Sequence, residues 1–145
     1  MNKQAITIDA NQMISALLGG KARGIIYSDH FRFFTTERKT WEVKRYIPMI
    51  STKTGVHEER VLKAFELFPI IAYQDVFFDE QKSRALELIG KRDPTDADLL
   101  ALTLRLRSPL WSHDHDFQNI KEIAVVTIGD LFAMLARQSD SRTEV

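Results

Sequence analysis

Four acidic residues, far apart in the chain, each stand where a structural element is expected to begin or end. Asp9 closes the run AITID, Glu42 sits in TWEVKRYI, Asp96 opens DADLLALTL, and Asp114 follows the apolar stretch PLWSHD. Carboxylates gathered by a fold repel one another and raise one another's pKa, so such a pocket calls for hard divalent cations. A divalent ion held by carboxylates acidifies water and stabilises charge developing on phosphate oxygens. The chemistry these residue types support is therefore metal-assisted chemistry on a phosphate.

Each acid also has a plainer role open to it. Asp9 can cap the helix that follows, and Asn11 could then orient it or hold a water. Glu42, between Lys39 and Arg45, reads on its own as a solvated helix residue in surface ion pairs. Asp93-Pro94 is a helix start with Asp as the cap, which puts Asp96 at the third helical position of a capping-box-like arrangement. Both roles can coexist at Asp96. Asp98 lies about 200° around the same helix, so Asp96 and Asp98 do not serve one ion. Asp93 and Asp98 are secondary candidates.

The segment SHDHDF raises the question of histidine ligation. On an extended segment adjacent side chains point to opposite faces. His113 and Asp114 would diverge, whereas Asp114 and Asp116 could face one way. No HExxH or CxxC pattern is present, and histidine ligands are not expected.

Elements that could position these residues are legible in the hydrophobic pattern. Short apolar runs predict strands at 5–8, 31–36, 70–73, 110–112 and 123–127. Helical spacing predicts a helix over 10–18, stopped by Gly19-Gly20, and one carrying Trp41, Val43, Tyr46, Ile47 and Ile50, bent or ended by Pro48. Further helices are expected at 55–68, 79–89, 94–107 and 128–137. The helix at 94–107 is apolar on most sides and should be largely buried. Strands alternating with helices argue for a parallel sheet covered on both faces, with the binding crevice beyond the strands' carboxyl ends. Asp9 and Asp114 both follow strands, which puts them at that end.

The 145 residues suit one domain, 1–138, with a polar C-terminal tail at 139–145. Hydrophobic residues make up 44% and charged residues 28%, the composition of a soluble globular chain. Lys+Arg and Asp+Glu both number 20, so net charge does not advertise a nucleic-acid binder and that reading must rest on local patches. With no cysteine there is neither a disulfide nor a thiolate metal site. Neither a leader pattern nor a membrane-length apolar run is seen, and a cytoplasmic location is the expectation.

Taken in order, the motifs resemble those of the PIN-domain ribonucleases. An early strand ends in Asp9-Ala10-Asn11, and Glu42 follows the second strand FFTT by about two helical turns. Asp96 opens a helix reading D-x-x-x-L-A-L-T, and Ser112-His113-Asp114 follows a short strand, with Asp116-Phe117 after it. The agreement spans nearly the whole chain up to the polar tail. The resemblance implies a three-layer α/β/α sandwich with a central, mostly parallel sheet. It also implies a Mg2+- or Mn2+-dependent endoribonuclease.

By that resemblance Asp9, Asp96 and Asp114 bind metal, Glu42 is a further ligand or orients water, and Asn11, Ser112 and Asp116 assist. Lys39, Lys44, Arg45, Arg105 and Arg107 are candidate contacts for an RNA backbone. Many compact relatives are VapC-type toxins, often dimeric, so single-stranded RNA, an antitoxin protein and a second copy are the expected partners. Phe65, Phe77 and Phe78 could form an interface, although core packing is their commoner use. Two other readings stand beside this one. The first is a catalytically weak RNA-binding or protein-interaction module. The second is an acyl-phosphate phosphatase layout, which would need a second Asp where Asn11 stands.

Overall fold

The computed structural model describes residues 3–90 and 93–143, with side-chain surroundings given through residue 138. The first strand, β1 (Gln4–Ile8), lies at the centre of a five-stranded sheet ordered β3-β2-β1-β4-β5. The others are β2 (Phe31–Thr36), β3 (Ile70–Tyr73), β4 (Leu110–Trp111) and β5 (Val125–Val126). Every pairing is parallel, with Thr7 opposite both Phe34 and Leu110 and Ile8 opposite Trp111.

Parallel strands cannot be joined by hairpins, so helices carry the chain back across the two faces. Alternation along the strands sorts the side chains between those faces. Ile6, Ile8, Phe31, Phe33, Trp111 and Val126 pack on one side with α1 (Ala10–Leu17), α2 (Ala22–Ile26), α5 (Glu58–Glu66) and α9 (Ile128–Thr143). Ala5, Phe34, Leu110 and Val125 face the other side with α7 (Lys82–Ile89) and α8 (Pro94–Leu106). The three-layer α/β/α arrangement follows. Three hydroxyls pin α8 along the sheet: Thr103 Oγ1 donates to Thr7 Oγ1 at 3.1 Å, and Thr7 Oγ1 lies 2.7 Å from Ser108 Oγ, all buried. α8 is as buried as its apolar sequence requires, with Leu99, Leu100, Ala101 and Leu102 inaccessible.

Several boundaries differ from the sequence pattern for identifiable reasons. The helix expected around Trp41 and Ile50 is two helices, α3 (Glu37–Arg45) and α4 (Ile47–Thr54). Pro48 lies in the first turn of α4, where its missing N–H costs nothing, so it begins a helix rather than ending one. Gly55 closes α4 with φ 73°, a left-handed cap suited to glycine. α2 was not expected from the pattern, and α6 (Asp75–Phe78) with a 3-10 turn at Asp79–Gln81 precedes α7. α9 continues to Thr143 instead of stopping near residue 137, so the tail expected at 139–145 is helical as far as it is described. Residues 144–145 lie outside the described residues. No described helix is long and apolar enough to cross a membrane.

Candidate metal centre

The strand order runs outward from β1 in both directions, so a crevice opens beyond the carboxyl ends of β1 and β4. Asp9 leaves β1 and caps α1: its Oδ1 accepts from the Ala10 N–H at 2.7 Å. Its other oxygen accepts from Ser112 Oγ at 2.7 Å, just beyond β4. Both oxygens of this buried carboxylate are thus engaged, one in the cap and one across to Ser112 beyond β4. Ser112 Oγ in turn accepts from the Asp114 N–H at 3.1 Å, and Asp114 Oδ1 accepts from the Asp116 N–H at 2.9 Å.

Asp96 arrives from the opposite direction, at the start of α8. Asp93 does the capping, accepting from the Thr95 N–H at 2.9 Å and from Thr95 Oγ1 at 2.8 Å. These bonds outweigh burial and, with the Lys39 charge, hold Asp93 below the usual carboxylate range. Asp96 is thereby left free to turn into the crevice. One oxygen from each of Asp9, Asp96 and Asp114 lies within 4.8 Å of the others.

At the centre of these acids is a side chain whose site role the sequence pattern conceals. Thr36 caps α3 by accepting from the Lys39 N–H at 3.1 Å, which makes Lys39 the third helical residue of α3, as Asp96 is of α8. The two meet across the crevice. Lys39 Nζ is 2.7 Å from Asp96 Oδ1, 3.1 Å from Asp9 Oδ1 and 3.2 Å from Glu42 Oε2. Its side chain is only 3% exposed, so it is neither a surface ion pair nor an open contact for an RNA backbone. A cation in the first turn opposes the helix dipole, so it is the carboxylates that keep it there. Burial alone would pull its pKa down, but the charge of Asp9 and the hydrogen bond to Asp96 outweigh burial and hold it above the ordinary lysine value. The available signal was Thr36: a capping threonine directly after a strand sends the residue three places on back toward the strand ends.

One ammonium does not neutralise this pocket. Burial, with repulsion from Asp9 and Asp93, raises Asp96 to about 6 despite the opposing pull of Lys39. A salt bridge by itself would depress Asp96, so the rise reflects burial above all, with the neighbouring carboxylates adding to it. Three clustered carboxylates against one lysine leave an excess of two negative charges (three minus one) before Glu42 is counted. Hard oxygen donors with that excess fit a divalent cation.

Glu42 does not join the three aspartates at that spacing. It is 33% exposed on its side chain and is held by charge contact with Lys39. Asn11 is exposed and makes no side-chain hydrogen bond among the described residues. Asp98 is buried on the other flank of α8, 3.4 Å from Arg38 Nε, where burial outweighs that partner and raises its pKa. His113 and His115 are exposed and outside the cluster. The chain is extended only to Asp114 and then makes a 3-10 turn at His115–Phe117, so alternation does not place Asp116 on the Asp114 face.

Of the candidate backbone contacts, Arg105 and Arg107 are misplaced. They end α8, about 14–16 Å along the helix from Asp96 at 1.5 Å per residue. Arg105 stacks over Phe77 at 5.1 Å, and Arg107 closes α8 with φ 53°. Phe65 and Phe78 are buried in the core and Phe77 stacks on Tyr73 at 4.0 Å, so these rings form no exposed patch.

The fold and the acidic crevice together define a class of α/β protein with three carboxylates that could hold a metal ion, and comparison with known proteins gives its family. The family model described as "PIN domain" matches residues 7–127, and the chain belongs to the PIN-domain family, a family of nucleases. The VapBC2 complex of Rickettsia felis, bound to a DNA fragment from its promoter, contains a similar fold. The TM-score is 0.62 at 11% identity, covering 86% of this chain and 98% of that one. A toxin–antitoxin complex from Klebsiella pneumoniae aligns with TM-score 0.58 and 17% identity over 83% of this chain and 96% of that one. No curated protein sequence matches the chain.

The raised pKa of Asp96 has a consequence for metal affinity. A carboxyl held near 6 when folded, against the ordinary 3.8, stabilises the fold below about pH 4, and that contribution is lost as pH rises through 6. Protons would compete with a metal ion held by Asp96, so the two dependences would run in opposite directions. We expect the gain in Tm on adding Mg2+ to be small at pH 5 and to grow through pH 6 and above. A gain independent of pH over that window would separate Asp96 from metal binding.

Proposed function

We propose that the protein is a divalent-metal-dependent endoribonuclease of the VapC toxin type. The observation that carries this reading is the convergence of Asp9, Asp96 and Asp114 at the crevice between β1 and β4. Asp9, Asp96 and Asp114 would hold Mg2+ or Mn2+. Mg2+ is the physical favourite because it accepts a few carboxylates and keeps several waters, leaving room for substrate. When bound, the ion supplies a Lewis acid that acidifies an attacking water and neutralises charge on the scissile phosphate.

The chain's own residues do the rest. Ser112 orients Asp9 by donating to Oδ2, and its acceptance from the Asp114 N–H fixes the turn that carries the third carboxylate. Lys39 holds Asp9 and Asp96 at a set spacing, and Glu42 stands beside Lys39 at the mouth, where it can accept a proton from water or orient it. Asn11 and Asp116 remain candidate assistants at the rim. RNA would be the substrate in the cytoplasm. An antitoxin is the proposed protein partner, because both similar structures are toxin–antitoxin complexes.

The test is incubation of purified protein with labelled single-stranded RNA and Mg2+ or Mn2+, with and without EDTA. Cleavage that requires the metal is expected, and cleavage indifferent to EDTA would sink the mechanism. A second reading, a catalytically weak PIN-like binding module, draws support from Lys39, which already partly neutralises the pocket. RNA binding with no metal-dependent cleavage would favour it.

A further inference from the structure

On α3 the residues Arg38, Trp41, Glu42 and Arg45 follow one another at helical spacings of three, four and seven, so they share one face. With Asp93 and Thr95 at the start of α8 they line an open cleft of about 440 Å3. This cleft adjoins the acidic crevice directly. Glu42 lines the cleft and touches Lys39 of the crevice, and Asp93 and Thr95 lie three and one residues before Asp96 in the chain.

Two occupants of this face, Trp41 and Arg45, are not explained by folding. Trp41 is 55% exposed, while the core side of α3 is supplied by Val43 and Lys39. No aromatic or cation–π partner covers its ring among the described residues. Arg45 is exposed and forms no ion pair among the described residues. Arg38 is different, since Asp98 at 3.4 Å and Asp75 at 3.9 Å share its charge. An uncovered indole face beside one uncommitted guanidinium, at the mouth of a carboxylate cluster, matches the two halves of a nucleotide. Bases stack on aromatic rings whatever their sequence, and guanidinium groups take phosphate oxygens in pairs.

We propose that the Trp41–Arg45 face of α3 is a substrate subsite that stacks one unpaired base of single-stranded RNA and grips an adjoining phosphate. This rests on the ribonuclease reading above for the identity of the polymer. Duplex RNA keeps its bases stacked on one another and cannot offer a free face to Trp41. The subsite therefore also selects single strands over duplexes.

The experiment measures binding of a short fluorescent single-stranded RNA by anisotropy in EDTA, so that no cleavage intervenes. Trp41→Ala is expected to weaken binding at least about fivefold, and Trp41→Phe, which keeps a ring, to lose much less. Arg45→Ala should weaken binding and lower the slope of log affinity against log salt by about one. Since Trp41 is on the surface, an unchanged Tm checks that each variant folds. Unaltered binding by Trp41→Ala overturns the subsite, even if metal-dependent cleavage is present. Loss of binding in Trp41→Ala upholds it, even if the wild type never cleaves and the nuclease reading fails. Equal affinity of the wild type for duplex and single strand also overturns it. So does a protein partner, not RNA, that alone protects Trp41 from quenching by iodide.

Discussion

Asp96→Asn is expected to lower metal-dependent RNA cleavage by about 10²- to 10³-fold, because it removes one of the three charges that would hold the ion stabilising the developing charge. The substitution is close to isosteric, and the amide oxygen can still accept from Lys39 Nζ, now 2.7 Å from Asp96 Oδ1. What it removes is the negative charge. Folding should survive because Asp93 caps α8 through Thr95 without Asp96. Asp98→Asn is the matched control: it too removes a buried acid from α8, but one facing Arg38 rather than the three-acid cluster. Calorimetric titration with Mn2+ should show weakened binding in Asp96→Asn and unchanged binding in Asp98→Asn. Equal loss in both variants would mean that general electrostatics, not a defined site, governs the metal.

Lys39→Met is expected to destabilise the metal-free protein by about 3–5 kcal/mol, because it leaves buried carboxylates without a counter-charge. For a domain of this size that corresponds to a fall in Tm of roughly 10 °C or more in EDTA. The methionine fills nearly the same volume, so packing loss contributes little. Saturating Mg2+ should restore much of the lost Tm, and the gain should exceed that of the wild type. Removing the resident ammonium also removes a competitor, so Mn2+ should bind the variant more tightly. An unchanged Tm in EDTA would show that Lys39 is not what holds Asp9 and Asp96 together.

Much of this was legible before the fold was seen. The central strands carry short, mostly apolar runs because both faces of the sheet are covered, and that pattern survives in sequence. Asp93-Pro94 marks the start of α8 unambiguously, since proline is favoured only where its N–H is not needed. Pro48 shows the limit of the same logic. It cannot continue a helix, but whether it closes one or opens the next depends on where the backbone turns, which neighbouring residues do not state. Trp41 shows a second limit: at an apolar position of an amphipathic helix a ring reads as core, and only packing reveals it in solvent.

By itself the sequence determined the parallel α/β architecture, the start of α8, and the order of the four acids along the chain. These are local properties: hydrophobic period, capping chemistry, and the direction in which strands end. Only the tertiary structure decided that Asp9, Asp96 and Asp114 converge, that Glu42 stands apart from them, and that Lys39 lies buried among the carboxylates. Lys39 and Asp96 are 57 residues apart, and each has an ordinary reading alone, Lys39 as a solvated helix lysine and Asp96 as part of a helix cap. Whether two such residues are solvated or paired is set by the sheet order, which brings the amino ends of α3 and α8 to one crevice. Charge burial is a property of that assembly and is written in neither segment.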